Sequence, residues 1–218
     1  MEITWLGHSC FRLKGKETVV IVDPYPPDLG YSLGNPQADI LALTHPHPNH
    51  SYVQGVAGKP KKITGPGEYE IAGVFITGIS SFHDSAGGQK LGKNTIYHIV
   101  IDGFAICHLG DLGHVPTPEM IEDIGNVEVL LVPVGGVLTI DAVAAAETVR
   151  RLEPKVVIPM HYKTPAVLKE LDPVDKFLKE IGVKEVTSQP KLSLTRTTLS
   201  PPTQVVLLDY PKSEKLLR

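Results

Sequence analysis

Through residue 110 the chain alternates short β-branched and aromatic runs with turns of Gly, Pro and Asn. The runs EITWL, CFRLK, TVVIVD, ADILALT, KKIT, EYEIAG, VFITGI, NTIYHIVID and FAICHL are strand-length and bounded by turn formers, which predicts strands throughout this half. After residue 115 the pattern changes. Thr117-Pro118-Glu119 has the cap and first-turn proline of a helix start, and IDAVAAAETVRRLE and the stretch from Pro173 to Ile181 carry helical spacing. VEVLLVPV and KVVIPM are uninterrupted apolar runs, the pattern of buried strands. KLSLTRTTL and TQVVLLDY flank Ser200-Pro201-Pro202-Thr203, which predicts a terminal hairpin. This order predicts two sheets with helices packed outside them, an α+β arrangement. No repeat or compositional break divides the 218 residues, so a single domain over 1–218 is expected.

Composition narrows the class without naming a task. At 42% hydrophobic, 218 residues can bury one substantial core. The 21 basic and 24 acidic residues give a net charge of −3, with no basic run longer than Lys61-Lys62 or Arg150-Arg151. Nucleic acid is therefore not an expected partner. The opening MEITWLGHSCF lacks the basic and apolar regions of a leader, and no segment approaches the roughly 18 uninterrupted apolar residues of a membrane span. A cytoplasmic protein without a membrane partner is expected. Cys10 and Cys107 each sit in an apolar run, which predicts two reduced, buried thiols.

The chemistry lies in nine histidines and where they fall. The segment ALTHPHPNHSYV holds His45, His47 and His50. Pro46 and Pro48 favour extended backbone, in which side chains two apart share a side, so His45 and His47 can grip one ion. A turn at Asn49 would bring His50 to the same cavity. Neighbouring imidazoles repel when protonated, and a divalent cation removes the conflict by requiring them neutral. A histidine-rich surface turn is the alternative. His83 in SSFHDSAGG, His108 and Asp111 in ICHLGDLGH, and His161 in VVIPMHYKT stand at predicted strand ends, where a rigid scaffold presents polar groups. His98 reads as a structural strand residue, and His114 stays open. Asp23 reads as a buried hydrogen-bonding brace. Asp84 reads as a loop brace, with a substitute metal carboxylate as the alternative.

Taken in order, WLGHSCF, IVDPYP, THPHPNH, FHD, HLGDLGH, VPVGG and IPMHY resemble the motif series of the metallo-β-lactamase superfamily. Within it, the chain is similar to the small metal-dependent hydrolases around ascorbate-6-phosphate lactonase. The resemblance implies a four-layer αβ/βα sandwich with a metal centre at one edge. It implies His45, His47 and His83 as ligands of a first ion, His50 and His161 as ligands of a second, and Asp111 as the carboxylate bridging both. The implied cofactor is one or two divalent ions, zinc first, with manganese or iron as alternatives. The implied activity is hydrolysis of a small ester, lactone or phosphate-bearing substrate by a metal-activated hydroxide. Asp111, Asn49 and His8 are the candidate catalytic residues, His8 donating to substrate or orienting a ligand, with a plain turn histidine as the alternative. His108 is expected to orient a ligand, and Gly135-Gly136 to form a tight turn, with close approach of backbone to the site as the alternative. The expected partner is a small-molecule substrate, its pocket walled by Pro24 to Asn35 and Ser85 to Asn94; association into a homo-oligomer stays open.

Position 49 departs from the pattern. The family usually carries aspartate there, in H-x-H-x-D-H, whereas this chain has Asn49. Asparagine keeps the shape but loses the charge, and its amide oxygen is a weaker ligand. Three outcomes follow: a mononuclear centre, a dinuclear centre with a labile second ion, or a metal- or ligand-binding member of the fold with little or no hydrolytic activity.

Overall fold

Every strand that ends in a candidate site residue runs in the same direction. The computed structural model describes residues 1–167 and 170–211. Strands β1 (Glu2–Gly7), β2 (Cys10–Lys14), β3 (Val19–Val22), β4 (Ile40–Leu43) and β5 (Lys61–Thr64) make most of one sheet. Strands β6 (Gly67–Ile71), β7 (Val74–Phe82), β8 (Lys93–Ile101), β9 (Phe104–His108), β10 (Val129–Pro133) and β11 (Val156–Met160) make most of the other. Helices α1 (Pro118–Ile124), α2 (Ala142–Leu152) and α3 (Val174–Glu180) fall in the second half, followed by short strands β12 (Leu192–Ser193) and β13 (Gln204–Val205). The first sheet is ordered β12-β1-β2-β3-β4-β5 and the second β13-β11-β10-β9-β8-β7-β6. Because β1–β2 and β2–β3 are antiparallel and β3–β4 parallel, β1, β3 and β4 point one way. In the second sheet β7, β9, β10 and β11 likewise share one direction.

The period of two along the strands decides the layers. In β3, Val20 and Val22 face the core shared between the sheets, while Ile21 packs into a second cluster on the outer side; in β4, Ile40 and Ala42 face inward and Leu41 and Leu43 outward. Both faces of β3 and β4 are therefore buried, which is why these runs read as continuous apolar stretches. Tyr25, Leu29, Tyr31 and Val56 cover its outer face, from loops and 3-10 turns at Pro27–Leu29 and Val53–Gly55. On the second sheet, α2 packs on β10 and α3 on α2. The two-sheet sandwich is the expected one, but among the described residues the outer layer of the first sheet is loop and 3-10 turn and holds no α-helix. Two stretches rich in Pro and Gly explain this, since neither can sustain a helix.

Helix starts follow the predicted chemistry. Thr117 Oγ1 accepts from Met120 N at 3.3 Å and Asp141 Oδ1 accepts from Ala144 N at 2.9 Å, each satisfying a first-turn amide. The predicted terminal hairpin is wrong. β12 pairs antiparallel with β1 and β13 pairs parallel with β11, so the segments flanking Ser200 to Thr203 join different sheets. Each run has a partner edge already waiting, and pairing there buries more apolar surface than a two-stranded ribbon would.

Cys10 and Cys107 are free and fully buried, and burial raises both thiols well above their ordinary range. The native chain should therefore resist a disulfide-exchange reagent such as Ellman's, and both thiols should react once the chain is unfolded in guanidinium. Rapid modification of the native protein would show that this core opens.

Candidate metal centre

The common strand direction brings six chain segments to one edge of the sandwich. His8 follows β1, Asp23 follows β3, His45 to His50 follow β4, His83 follows β7, Asp111 follows β9 and His161 follows β11. Three of these residues, His8, Asp23 and His161, take left-handed backbone at φ 53°, 48° and 51° as the chain leaves its strand. A non-glycine residue is held there at a cost of roughly 1–3 kcal/mol, and such strain collects at functional sites. The carbonyl of His8 is pinned by two donors, Trp5 Nε1 at 2.9 Å and His161 N at 3.1 Å, which tie two of the strained turns together.

At the centre stands Asp111. Its Oδ2 lies 3.1 Å from His50 Nε2, 3.3 Å from His83 Nε2, 3.4 Å from His161 Nε2 and 3.9 Å from His45 Nε2. The other oxygen, Oδ1, accepts from Ser9 Oγ at 3.3 Å. Burial opposes the charge of Asp111, yet the facing His161 and His50 hold its carboxyl well below the usual carboxylate range. A ring nitrogen of each of His45, His47 and His83 lies within 4.8 Å of those of the other two, and the same holds for His8, His50 and His161. Thus every predicted site residue is in the cluster, His47 and Asn49 half-buried and the others buried. Asn49 enters through His8, its Nδ2 standing 2.8 Å from His8 Nε2.

Behind the cluster, Asp23 fixes which nitrogen of two imidazoles faces inward. Its Oδ2 accepts from Thr44 Oγ1 at 2.6 Å and meets His50 Nδ1 at 3.1 Å, while Oδ1 accepts from Thr44 N at 2.8 Å. With its proton given to Asp23, the Thr44 hydroxyl accepts from His45 Nδ1 at 2.9 Å. Both His45 and His50 thereby carry their proton on Nδ1 and turn Nε2 toward Asp111. Those two Nε2 atoms are buried and lack a hydrogen-bond partner in good geometry. Burial, with His50 adding to it, brings His45 down to about 3; His50 rises to about 9 despite burial, because Asp111 and Asp23 flank it. Burial also lowers His161 and His108.

The donor set fits a divalent cation. The Nε2 lone pair of His45 is buried, aimed inward and unpartnered, which is costly unless something electropositive meets it, and at His50 a proton held between Asp111 and Asp23 occupies the place of a cation. Imidazole nitrogens with one carboxylate are the donors of zinc and its first-row neighbours. The carboxylate behind His50 and the hydroxyl behind His45 are the partners that such ligands have.

Other residues fall where their local chemistry puts them. His108 does not touch Asp111: its Nε2 meets Ser9 O at 2.8 Å and its Nδ1 accepts from Gly110 N at 3.0 Å, so it braces both loops that carry Asp111 and Ser9. His98 meets Asn126 O at 3.0 Å, and His114 meets Val115 O at 3.0 Å and Phe82 N at 3.4 Å, outside the cluster. Asp84 accepts four backbone amides, from Ala86, Gly88, Lys90 and Leu91, and those of Leu91 and then Lys90 bring its carboxyl down to about 2. It is a loop brace and both its oxygens are taken. Gly135 proves more than a turn former, since a Cβ there would sit 2.0 Å from His161 O. Three participants were missed in the sequence: Thr44, Ser9 and Asn94. Asn94 Oδ1 accepts from Asp111 N at 3.0 Å while its Nδ2 donates to Leu109 O at 2.9 Å, clamping the turn that delivers the carboxylate. Thr44, a hydroxyl wedged between an apolar strand and the first histidine, was the legible one.

A two-sheet sandwich with a histidine and carboxylate cluster at one edge defines a class of metal-binding fold, and comparison with known proteins places the chain within it. A beta-lactamase superfamily domain matches residues 2–161, a span that takes in every cluster residue from His8 to His161. A UPF0173 metal-dependent hydrolase of Pyrococcus abyssi is 30% identical over 223 aligned positions, covering 84% of this chain and 93% of its own. A crystal structure from Thermotoga maritima, provisionally assigned as a Zn-dependent hydrolase of the metallo-β-lactamase superfamily, is 40% identical, with a TM-score of 0.79 over 95% of this chain and 98% of that one. A metallo hydrolase of Ignicoccus hospitalis shares the fold at 21% identity, with a TM-score of 0.66 over 89% of this chain and 99% of its own. The chain belongs to the metallo-β-lactamase superfamily.

Asp23→Asn keeps the shape but withdraws the charge that orients His50 and, through Thr44, His45. The expected outcome is a chain that folds and binds divalent metal about 10- to 100-fold more weakly, measured by competition with a chromophoric chelator. Unchanged affinity would show that the backbone alone aims the two imidazoles.

Proposed function

We propose that the chain is a metal-dependent hydrolase acting on a small ester, lactone or phosphate-bearing substrate. The observation that carries this reading is the convergence of four imidazole Nε2 atoms on Asp111 Oδ2, with His47 and His8 completing two imidazole triads around it. In this reading His45, His47 and His83 hold one ion, His50 and His161 belong to a second, and Asp111 serves both. Zinc suits the nitrogen-rich donor set, with manganese and iron as the alternatives. A divalent ion held there supplies Lewis acidity, lowering the pKa of water toward neutrality and polarising a carbonyl or phosphoryl oxygen. The chain's own residues supply the rest. Asp23 and Thr44 keep His45 and His50 in one tautomer, Ser9 steadies the outer oxygen of Asp111, and Asn49 sets the ring of His8 at the mouth of the cluster. The names of the Pyrococcus and Thermotoga relatives support the hydrolase class, and neither names a substrate. A cytoplasmic location belongs to the same reading, supported by two free thiols that suit a reducing compartment. Among the described residues no helix is long and apolar enough to cross a membrane.

Asn49 favours a second reading, a metal- or ligand-binding member of the fold with little hydrolytic activity. The two separate on a single panel of lactones, carboxylic esters and phosphodiesters, run on protein reconstituted with Zn²⁺ or Mn²⁺. Turnover of at least one class, falling by about 100-fold or more in Asp111→Ala together with metal content, is the expected result. A protein that takes up no metal, or that takes it up and stays inert on all classes, defeats the hydrolase reading. Asn49→Asp refines the outcome: a large gain in turnover would mark the natural site as catalytically weakened.

A further inference from the structure

We infer that His8 is a ligand of the second metal ion, an imidazole standing where the family pattern relies on a carboxylate at position 49. The inference rests on the proposed metal centre and adds to it a residue that the motif pattern does not assign as a ligand. Three independent features of the structure point to it. A ring nitrogen of His8 lies within 4.8 Å of ring nitrogens of both His50 and His161, the two residues already read as second-site ligands. Nitrogens about 2.0–2.1 Å from a common tetrahedral ion stand roughly 3.3–3.4 Å from one another, so small side-chain adjustments from within 4.8 Å complete the triad. The ring of His8 lies tilted against the same two partners, with centroids 4.2 Å from His161 and 4.9 Å from His50. The backbone is fixed to hold it there: left-handed φ at His8, its carbonyl held by Trp5 Nε1 and His161 N, and 1% exposure.

Asn49 then acquires a positive role. A carboxylate at 49 competes for the ion, whereas the carboxamide, whose Nδ2 stands 2.8 Å from His8 Nε2, serves a ligating His8 once its amide is flipped, so that the oxygen accepts from Nε2–H and Nδ1 is the nitrogen that meets the ion. Asn49 is thus a positioning residue for His8. Exchanging a carboxylate ligand for a neutral imidazole leaves the second site one charge unit more positive, which favours an anionic group on the substrate.

The test counts ions on the full chain with Zn²⁺ alone, by elemental analysis after equilibrium dialysis, and reads ligand geometry from the visible spectrum with Co²⁺. The wild type should hold two ions, and His8→Ala should keep the first while weakening the second by about 10-fold or more, with a changed Co²⁺ spectrum. His45→Ala should do the reverse, and adding Asn49→Asp to His8→Ala should restore the second ion. If His8→Ala is poorly folded, His8→Gln and the imidazole nitrogen-15 shifts of the unmutated protein on Zn²⁺ addition answer the same question. Two ions held by His8→Ala and His8→Gln at wild-type affinity, a His8 ring silent to Zn²⁺, or a wild type holding one ion that depends on His45 but not on His8 would each overturn the inference. Those results leave the metal centre standing, whereas a wild type that holds no ion removes the centre itself.

Discussion

One buried oxygen governs this molecule. Asp111 Oδ2 has four imidazole Nε2 atoms within 3.9 Å and is ionised in spite of a burial that penalises charge. An unpaired carboxylate in such a place would be strongly destabilising, so the surroundings must meet it from several directions at once. Strand direction is the device that makes this feasible. β1, β3, β4, β7, β9 and β11 all release their chain at the same edge, and each release contributes at least one side chain to the cluster or to its bracing. The sheets cannot slide against each other without breaking it, because Thr95 N donates to Thr44 O and Tyr97 Oη to Leu43 O, both at 2.9 Å, across the sandwich near that edge.

Close approach of backbone is the second constraint. A Cβ on Gly113 would fall 2.3 Å from the backbone of His83 and Asp84, one on Gly110 would fall 2.3 Å from Asn94 Oδ1, and one on Gly135 would fall 2.0 Å from His161 O. These glycines are spaces, each letting a ligand-bearing loop settle against its neighbour. Cluster geometry is therefore set by loops packed to contact distance on rigid strands, which is the preorganisation that tight and selective cation binding requires.

Much of this was legible in the chain. The apolar runs ending in histidine or aspartate announced both the strands and the residues they present, and the proline spacing of THPHPNH announced two histidines, His45 and His47, delivered to one cluster. The prediction failed where pairing partners are distant. β12 and β13 are two residues each and carry no pattern of their own; the edges of β1 and β11, far away in sequence, decide their fate. The bracing was also obscure for a reason of physics. Asn94 and Ser9 act through a few hydrogen bonds whose partners lie far off in the chain, and such contacts leave no periodic trace. Asp23 was readable as a brace because a carboxylate closing an apolar strand has to be paired, though not that it would serve two imidazoles.

Position 49 shows how far a residue-by-residue reading can mislead. Judged alone, an amide in place of a carboxylate subtracts a ligand and a charge. Judged with its neighbours, the amide meets His8, and His8 is held beside His161 and His50 by the tight turn that joins β1 to β2. His8 is the first residue of the two-residue turn joining β1 to β2, where left-handed backbone is ordinary; what sets it apart is that its ring is buried in the cluster while its carbonyl is locked by Trp5 and His161. Asparagine and histidine are thus better understood as one exchange than as a loss: the donor has moved from the loop after β4 to the turn after β1, and the site has become one charge unit more positive.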